Sequence, residues 1–242
     1  MKKVLALVVA TGLIAAASFA SAATIKGSKH DLSPTGTASF SGLNSQICVY
    51  CHAPHGAQLF NPLWNRTNPG GASFTLYSGV NMASKSNKSG FTADNTSLFC
   101  MSCHDGGTQM DAIFNKGALT NHGAYNQPLA GDAGFTFATN KIITAAKLGS
   151  DLRGTHPVNF IVTTADTQSD LWIAGATAAT TVMGGGAGTA TNAFPLFKLS
   201  GNRATNRSLE CGSCHAVHDS QYSPFLRVTM KGSTLCLGCH NK

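Results

Sequence analysis

Apolar residues in this chain come in short bursts, and few windows hold a helical or strand period for long. The exception lies at the start. Val4 to Ala20 is an apolar run, preceded by Lys2 and Lys3 and closed by Ala20-Ser21-Ala22. A positive lead, an apolar middle and small residues at the end predict a secretory signal peptide over residues 1–22. Residues 23–242 then form a single mature domain, with no further apolar run long enough to span a membrane. No cysteine stands near the cleavage point, so the usual lipid-anchoring route is closed. Further along, Phe160-Ile-Val-Thr-Thr and Phe194-Pro-Leu-Phe-Lys-Leu predict short strands. Residues 61–95, with Pro62, Pro69, Gly70 and Gly71, form a loop-rich connection. Gly184-Gly185-Gly186-Ala187-Gly188 is a flexible turn region, and no Lys-Ser/Thr follows it in register to make a phosphate loop.

A mature chain of about 220 residues is long enough to bury a conventional core. Yet charged residues are only 11%, and Gly, Ser, Thr, Ala and Asn fill long stretches without an amphipathic pattern. Something other than side-chain periodicity has to organise such a chain.

The cysteines supply it. Cys48-Val-Tyr-Cys51-His52 recurs as Cys100-Met-Ser-Cys103-His104, Cys211-Gly-Ser-Cys214-His215 and Cys236-Leu-Gly-Cys239-His240, and these four sites consume all eight cysteines. Two cysteines three apart followed at once by histidine form the attachment sequence of a c-type haem. The thiols become thioethers to the porphyrin, and the histidine binds the iron from one face. Zinc ribbons and redox-active pairs also use Cys-x-x-Cys. With 9 histidines in 242 residues, four chance placements directly after four pairs have odds on the order of one in a million. Four covalent haem c groups follow. Their rigid apolar faces give irregular loops something to wrap. The fold expected is a multihaem cytochrome c: mostly irregular loops, short α-helices at the haem sites, few short strands, and a haem stack as core.

A serine stands three residues before each first cysteine: Ser45, Ser97, Ser208 and Ser233. That spacing predicts an N-cap for a short helix entering each site. On such a helix the two cysteines and the histidine fall at i, i+3 and i+4, on one face. A longer repeat relates the first and third sites. Cys51-His52-Ala-Pro-His55, with Gln58 and Pro62 beyond it, matches Cys214-His215-Ala-Val-His218, with Gln221 and Pro224, at one residue of slippage. The second and fourth sites lack the extra histidine.

Beyond the proximal ligands His52, His104, His215 and His240, five histidines remain: His30, His55, His122, His156 and His218. Four irons need four distal ligands, so the supply fits bis-histidine coordination with one to spare. His55 and His218 each lie three residues past a proximal histidine and are held on its side of the porphyrin. They are expected to reach a neighbouring iron, which brings haems close together. His156 precedes Pro157, which biases it to an extended backbone suited to a fixed ligand. His30 sits in a leader that must dock to become ordered. Methionine is the competing ligand, but only Met101 has a placement relative to a site, inside one. His122 has no repeat behind it.

Charge reads differently once haem is counted. The formal net charge is +7, and loss of Lys2 and Lys3 leaves +5. Four ferric haems with their propionates bring roughly −4. The holoprotein is nearly neutral, and the basic balance is no argument for nucleic-acid binding.

Ser28-Lys29-His30-Asp31-Leu32-Ser33, Cys48 to His55 with Gly56-Ala57, His156-Pro157-Val158, Leu209 to His218 and Leu235 to Lys242 together resemble multihaem c-type cytochromes of metal-reducing bacteria. With four haems, the chain is similar to the OmcE-type tetrahaem cytochromes that polymerise into extracellular nanowires. The resemblance covers the haem regions well and residues 163–200 poorly. It implies subunits stacked end to end, with a histidine of one subunit, here His30 or His55, ligating a haem of the next. It also implies redox-partner cytochromes and extracellular acceptors such as metal oxides. His122 matches no pattern in that family.

Electron transfer without an enzymatic reaction is thus the expected function, in a secreted protein at the cell surface or beyond it. A monomeric periplasmic tetrahaem shuttle shares the same haem chemistry. A multihaem oxyanion reductase needs an iron with an open position. Against that, every attachment motif ends in histidine and distal histidines suffice. An adhesion role leaves four haems unexplained.

Overall fold

Regular structure in the computed structural model is short and gathers where the cysteines are. The structure describes residues 24–38, 40–41, 45–58, 62–77, 90–93, 95–110, 112–115, 141–161, 194–198 and 207–240, with short strands at 127–128, 135–136 and 182–183. The expected signal segment, His122 and the Gly184–Gly188 run lie outside them.

All four Cys-x-x-Cys-His segments begin in helical turns. A 3-10 turn, Ile47–Tyr50, carries the first. Helix α1 (Ser97–His104) carries the second, α2 (Cys211–Cys214) the third and α3 (Thr234–Leu237) the fourth. Nine strands of two or three residues fill the described connections. Both expected strand segments are strand where they are described, Val162–Thr164 and Leu199 lying outside the described residues. Phe160–Ile161 is β5, and the second is broken at Leu196 into β7 (Phe194–Pro195) and β8 (Phe197–Lys198). β5 and β8 flank β9 (Arg207–Leu209) antiparallel, with Phe160 opposite Leu209 and Phe197 opposite Ser208. β9 runs straight into Glu210 and α2, so this small sheet aims the third site.

The serine caps are a correction. The N-cap positions are Gln46, Thr96, Glu210 and Ser233, and the one serine hydroxyl on an N-terminal amide within these turns comes from another site, Ser97 accepting from Cys211. Ser45 lies outside the first turn, Ser97 is already inside α1, and Ser208 is in β9. Only Ser233 holds an N-cap position, in a left-handed conformation (φ 58°) and without a cap hydrogen bond. A buried acceptor displaced the capping rule: the Ser97 hydroxyl, from a distant part of the chain, and the Ser208 hydroxyl, two residues away, both donate to the carboxylate of Glu210.

Among the described residues, apolar side chains form three clusters rather than one core. Val49, Tyr50, Met110 and Ile113 pack on Cys51 and Cys103. Phe74, Phe91, Leu98 and Met101 support α1. Phe194, Leu196 and Leu209 enclose Cys239. In the third cluster glycine is required. A Cβ at Gly238 would stand 2.3 Å from a ring carbon of Phe194, and one at Gly212 would stand 2.8 Å from Phe197. Among the described residues, no helix is long and apolar enough to cross a membrane.

Candidate haem sites

The chain folds each cysteine pair and its histidine onto one turn. The histidine amide bonds back to the first cysteine's carbonyl at 2.8 Å from His52 to Cys48, 3.0 Å from His215 to Cys211 and 2.8 Å from His240 to Cys236. His104 closes α1 in the same relation to Cys100. Each triple therefore presents three side chains from one short arc of backbone.

The rings are fixed from behind. Nδ1 bonds to a backbone carbonyl at 2.8 Å in His52 (Pro62), 2.7 Å in His104 (Ala146) and 2.9 Å in His215 (Pro224). A carbonyl only accepts, so Nδ1 holds the proton and Nε2 keeps the free lone pair a metal needs. His156 does the same with Pro157 at 3.0 Å.

The repeat between the first and third sites is a repeat in space. Pro62 and Pro224 serve the same purpose, followed by Leu63 and Phe225, both at positive φ (63° and 59°). Bridges then form between His52 and Trp64 and between His215 and Leu226. The one-residue slippage in the sequence is the difference between these two loops.

Two imidazoles ligating one metal through Nε2 from opposite sides have ring centres roughly 6 Å apart, from two bonds of about 2.0 Å and about 1.1 Å within each ring. Three histidine pairs lie at that separation. His52 and His218 are 6.1 Å apart, His104 and His30 6.1 Å, and His240 and His156 6.3 Å. The chain thus holds pairs of imidazoles that fit a bis-histidine iron. Among the described residues no ring faces His215 in this way, and His55 is exposed with none facing it.

His30 reaches its place from the leader. Its ring stacks on Phe225 at 4.2 Å and 11°. Burial first, and then nearby His104, push its imidazole down to about 4, against a raising hydrogen bond to the Val217 backbone. A neutral imidazole is the ligand form. The leader is folded around buried Asp31, whose carboxylate accepts from the Gly27 amide at 2.7 Å and from the amide (3.0 Å) and hydroxyl (2.5 Å) of Ser33. Burial raises this carboxyl, but the hydrogen bonds outweigh it and hold it below its ordinary 3.8. A lowered acid stabilises the folded form above the unfolded value and loses that contribution as pH falls through the folded one. Leader docking should therefore be intact at neutral pH and weaken below about pH 4. Amide exchange at Gly27 and Ser33 measures this, and Asp31→Asn should speed that exchange at pH 7 by roughly 1–3 kcal/mol of lost protection.

Burial disfavours the thiolate at the second cysteine of the first and fourth sites. Burial, then Cys103, pushes Cys51 up to about 12; burial, then Cys214 and Cys236, pushes Cys239 up to about 12. A redox-active pair lowers one of its own thiols; among the shifted thiols Cys211 alone is lowered, by the side chains of Cys100, from another site, and Ser97. Among the described residues no three His, Cys, Asp or Glu converge as around a bare metal ion, so the pairs do not form a zinc ribbon. Instead the sites adjoin in series. Cys51 lies near Cys103, Cys100 beside Cys211, and Cys214 near Cys236 and Cys239.

Two buried charges stand among these sites. Glu210 is 1% exposed, and Asn95 Nδ2 (2.6 Å), Ser208 Oγ (2.7 Å), Ser97 N (3.3 Å) and Ser97 Oγ all donate to its carboxylate. It serves the N-terminal ends of α1 and α2 together, with a capping box to Ser213 in α2. Arg66 is 0% exposed, donating to the carbonyls of Met110 (3.0 Å) and Gln109 (3.1 Å), while its buried Nε has no partner. Spacing arguments pass over both residues. The position of Glu210, directly before Cys211 in a chain with 10 acidic residues, is the one signal available beforehand.

Residues 204–242 match the doubled CXXCH motif family. These are haem c attachment sites. The match spans the third and fourth motifs, and the coarse reading of a haem-binding electron-transfer chain rests on it. No curated protein matches the chain.

Proposed function

We propose that this protein carries electrons through four covalent haems, each held by two histidines, and that secreted copies join head to tail into an extracellular filament. The observation that carries this reading is the pairing. Among the described residues, three proximal histidines face a distal one within the chain, while His215 and exposed His55 face none and could complement each other between copies. In this reading the haem irons are held by His52 with His218, His104 with His30, His240 with His156, and His215 with His55 of a second copy. His122 takes no part in this assignment.

Haem iron supplies reversible one-electron chemistry. The chain's part is to hold the sites in series and to fill both axial positions with neutral imidazoles. Filling them also denies a small oxyanion any iron to bind, which is why we do not favour a reductase. The signal segment and the extracytoplasmic chemistry of haem attachment support export. The acceptors are then redox-partner cytochromes and extracellular oxidants such as metal oxides.

Electron paramagnetic resonance of the oxidised protein and electron microscopy of the secreted material test the two halves. The expected result is an all-low-spin spectrum from filaments. A stoichiometric high-spin signal that responds to nitrite would replace this reading with a reductase. Monomers with four low-spin irons would replace the filament with a periplasmic shuttle, closing the His215 iron from within the chain.

A further inference from the structure

The two buried charges are opposite in sign and sit at different places in the series of sites. Glu210 lies where the second and third sites meet. It is adjacent to Cys211, and Ser97 Oγ, which donates to its carboxylate, also accepts from the Cys211 amide at 3.1 Å. Both its oxygens act only as acceptors, as in an ionised carboxylate. Arg66 lies beside the first site: the next residue back, Asn65, bonds through its amide to the Cys51 carbonyl at 2.8 Å and through its side chain to the Val49 carbonyl at 3.1 Å. Among the described residues the one ion pair is between exposed Asp151 and Arg153, so neither buried charge has a counter-ion there. Buried ionic groups are normally paired, and their fields are screened little by solvent.

We propose that Glu210 and Arg66 are fixed charges that grade the reduction potentials along the protein, low at the junction of the second and third sites and high at the first. An added electron is disfavoured beside a buried carboxylate and favoured beside a buried guanidinium. The inference rests on the haem reading above. It adds a direction, since sites of unequal potential favour electron residence at the first site over the next two.

Spectroelectrochemical titration of the holoprotein decides it, after intact mass has confirmed the haem load. Glu210→Gln should raise the lowest midpoints and Arg66→Gln should lower the highest, each changing the oxidised-to-reduced ratio at fixed potential about tenfold, or about 59 mV. Both changes narrow the span of the titration. Glu210→Asp and Arg66→Lys keep the charges and should keep the span. Unshifted midpoints in a fully loaded, low-spin Glu210→Gln protein would overturn the inference and leave the haem reading standing. Equal shifts in Glu210→Asp and Glu210→Gln would overturn it too, by making geometry rather than charge the cause. Should Glu210→Gln fail to accumulate, the Arg66 pair decides alone. Wild-type protein without covalent haem would instead refute the haem reading itself.

Discussion

Replacing His55 with alanine should leave every haem attached, turn one iron in four high-spin, and abolish the filament. His55 is exposed, and the Asn115 side chain anchors its backbone carbonyl at 2.8 Å rather than its ring. Truncation therefore costs the monomer little. At a subunit contact the same truncation removes a hot spot, about 2–4 kcal/mol or roughly 30- to 1000-fold in dissociation constant per junction. A polymer multiplies that loss along its length. The iron that changes should be the one held by His215. Peptide-resolved spectroscopy of the site, or a density map of a residual dimer, identifies it. If the iron at His52 changed instead, the steric case that His55 cannot close its own haem would be wrong.

His218→Ala should give the complementary result. His218 lies 6.1 Å from His52, in the same chain, so its loss should open the first iron while filaments continue to form. One low-spin signal should be exchanged for a high-spin one that binds added imidazole or cyanide. Rescue of the low-spin state by imidazole separates a missing ligand from a damaged fold. An unchanged spectrum would remove His218 from the ligand set. The two variants together divide the extra histidines of the repeat into one that acts within the chain and one that acts between copies.

The attachment sites were legible because their chemistry is local. Cysteine, cysteine and histidine must share one turn, and a five-residue pattern specifies that in full. The relation of Pro62 to Pro224 was legible for a similar reason, since each loop folds back within about ten residues onto its own histidine. The partners of the distal histidines were not. His30 meets His104 and His156 meets His240 across long stretches of chain, and no spacing rule reaches that far. The four serines show the same limit from the other side. A cap motif is a local preference of about 1 kcal/mol. At Ser97 and Ser208 it lost to a buried carboxylate that needs several donors and would cost several kcal/mol to leave without them. Arg66 escaped notice because buried arginine is rare and nothing in Asn65-Arg66-Thr67 announces it.

The imidazoles of His52, His104 and His215 are held by the carbonyls of Pro62, Ala146 and Pro224. A peptide oxygen neither titrates nor disappears when a side chain is exchanged. In the proposed tetrahaem protein, ligand strength at these irons is accordingly buffered against acidity and against mutation alike. The surface of such a protein is free to diverge rapidly, to suit new acceptors or neighbours, while its electrical properties stay constant.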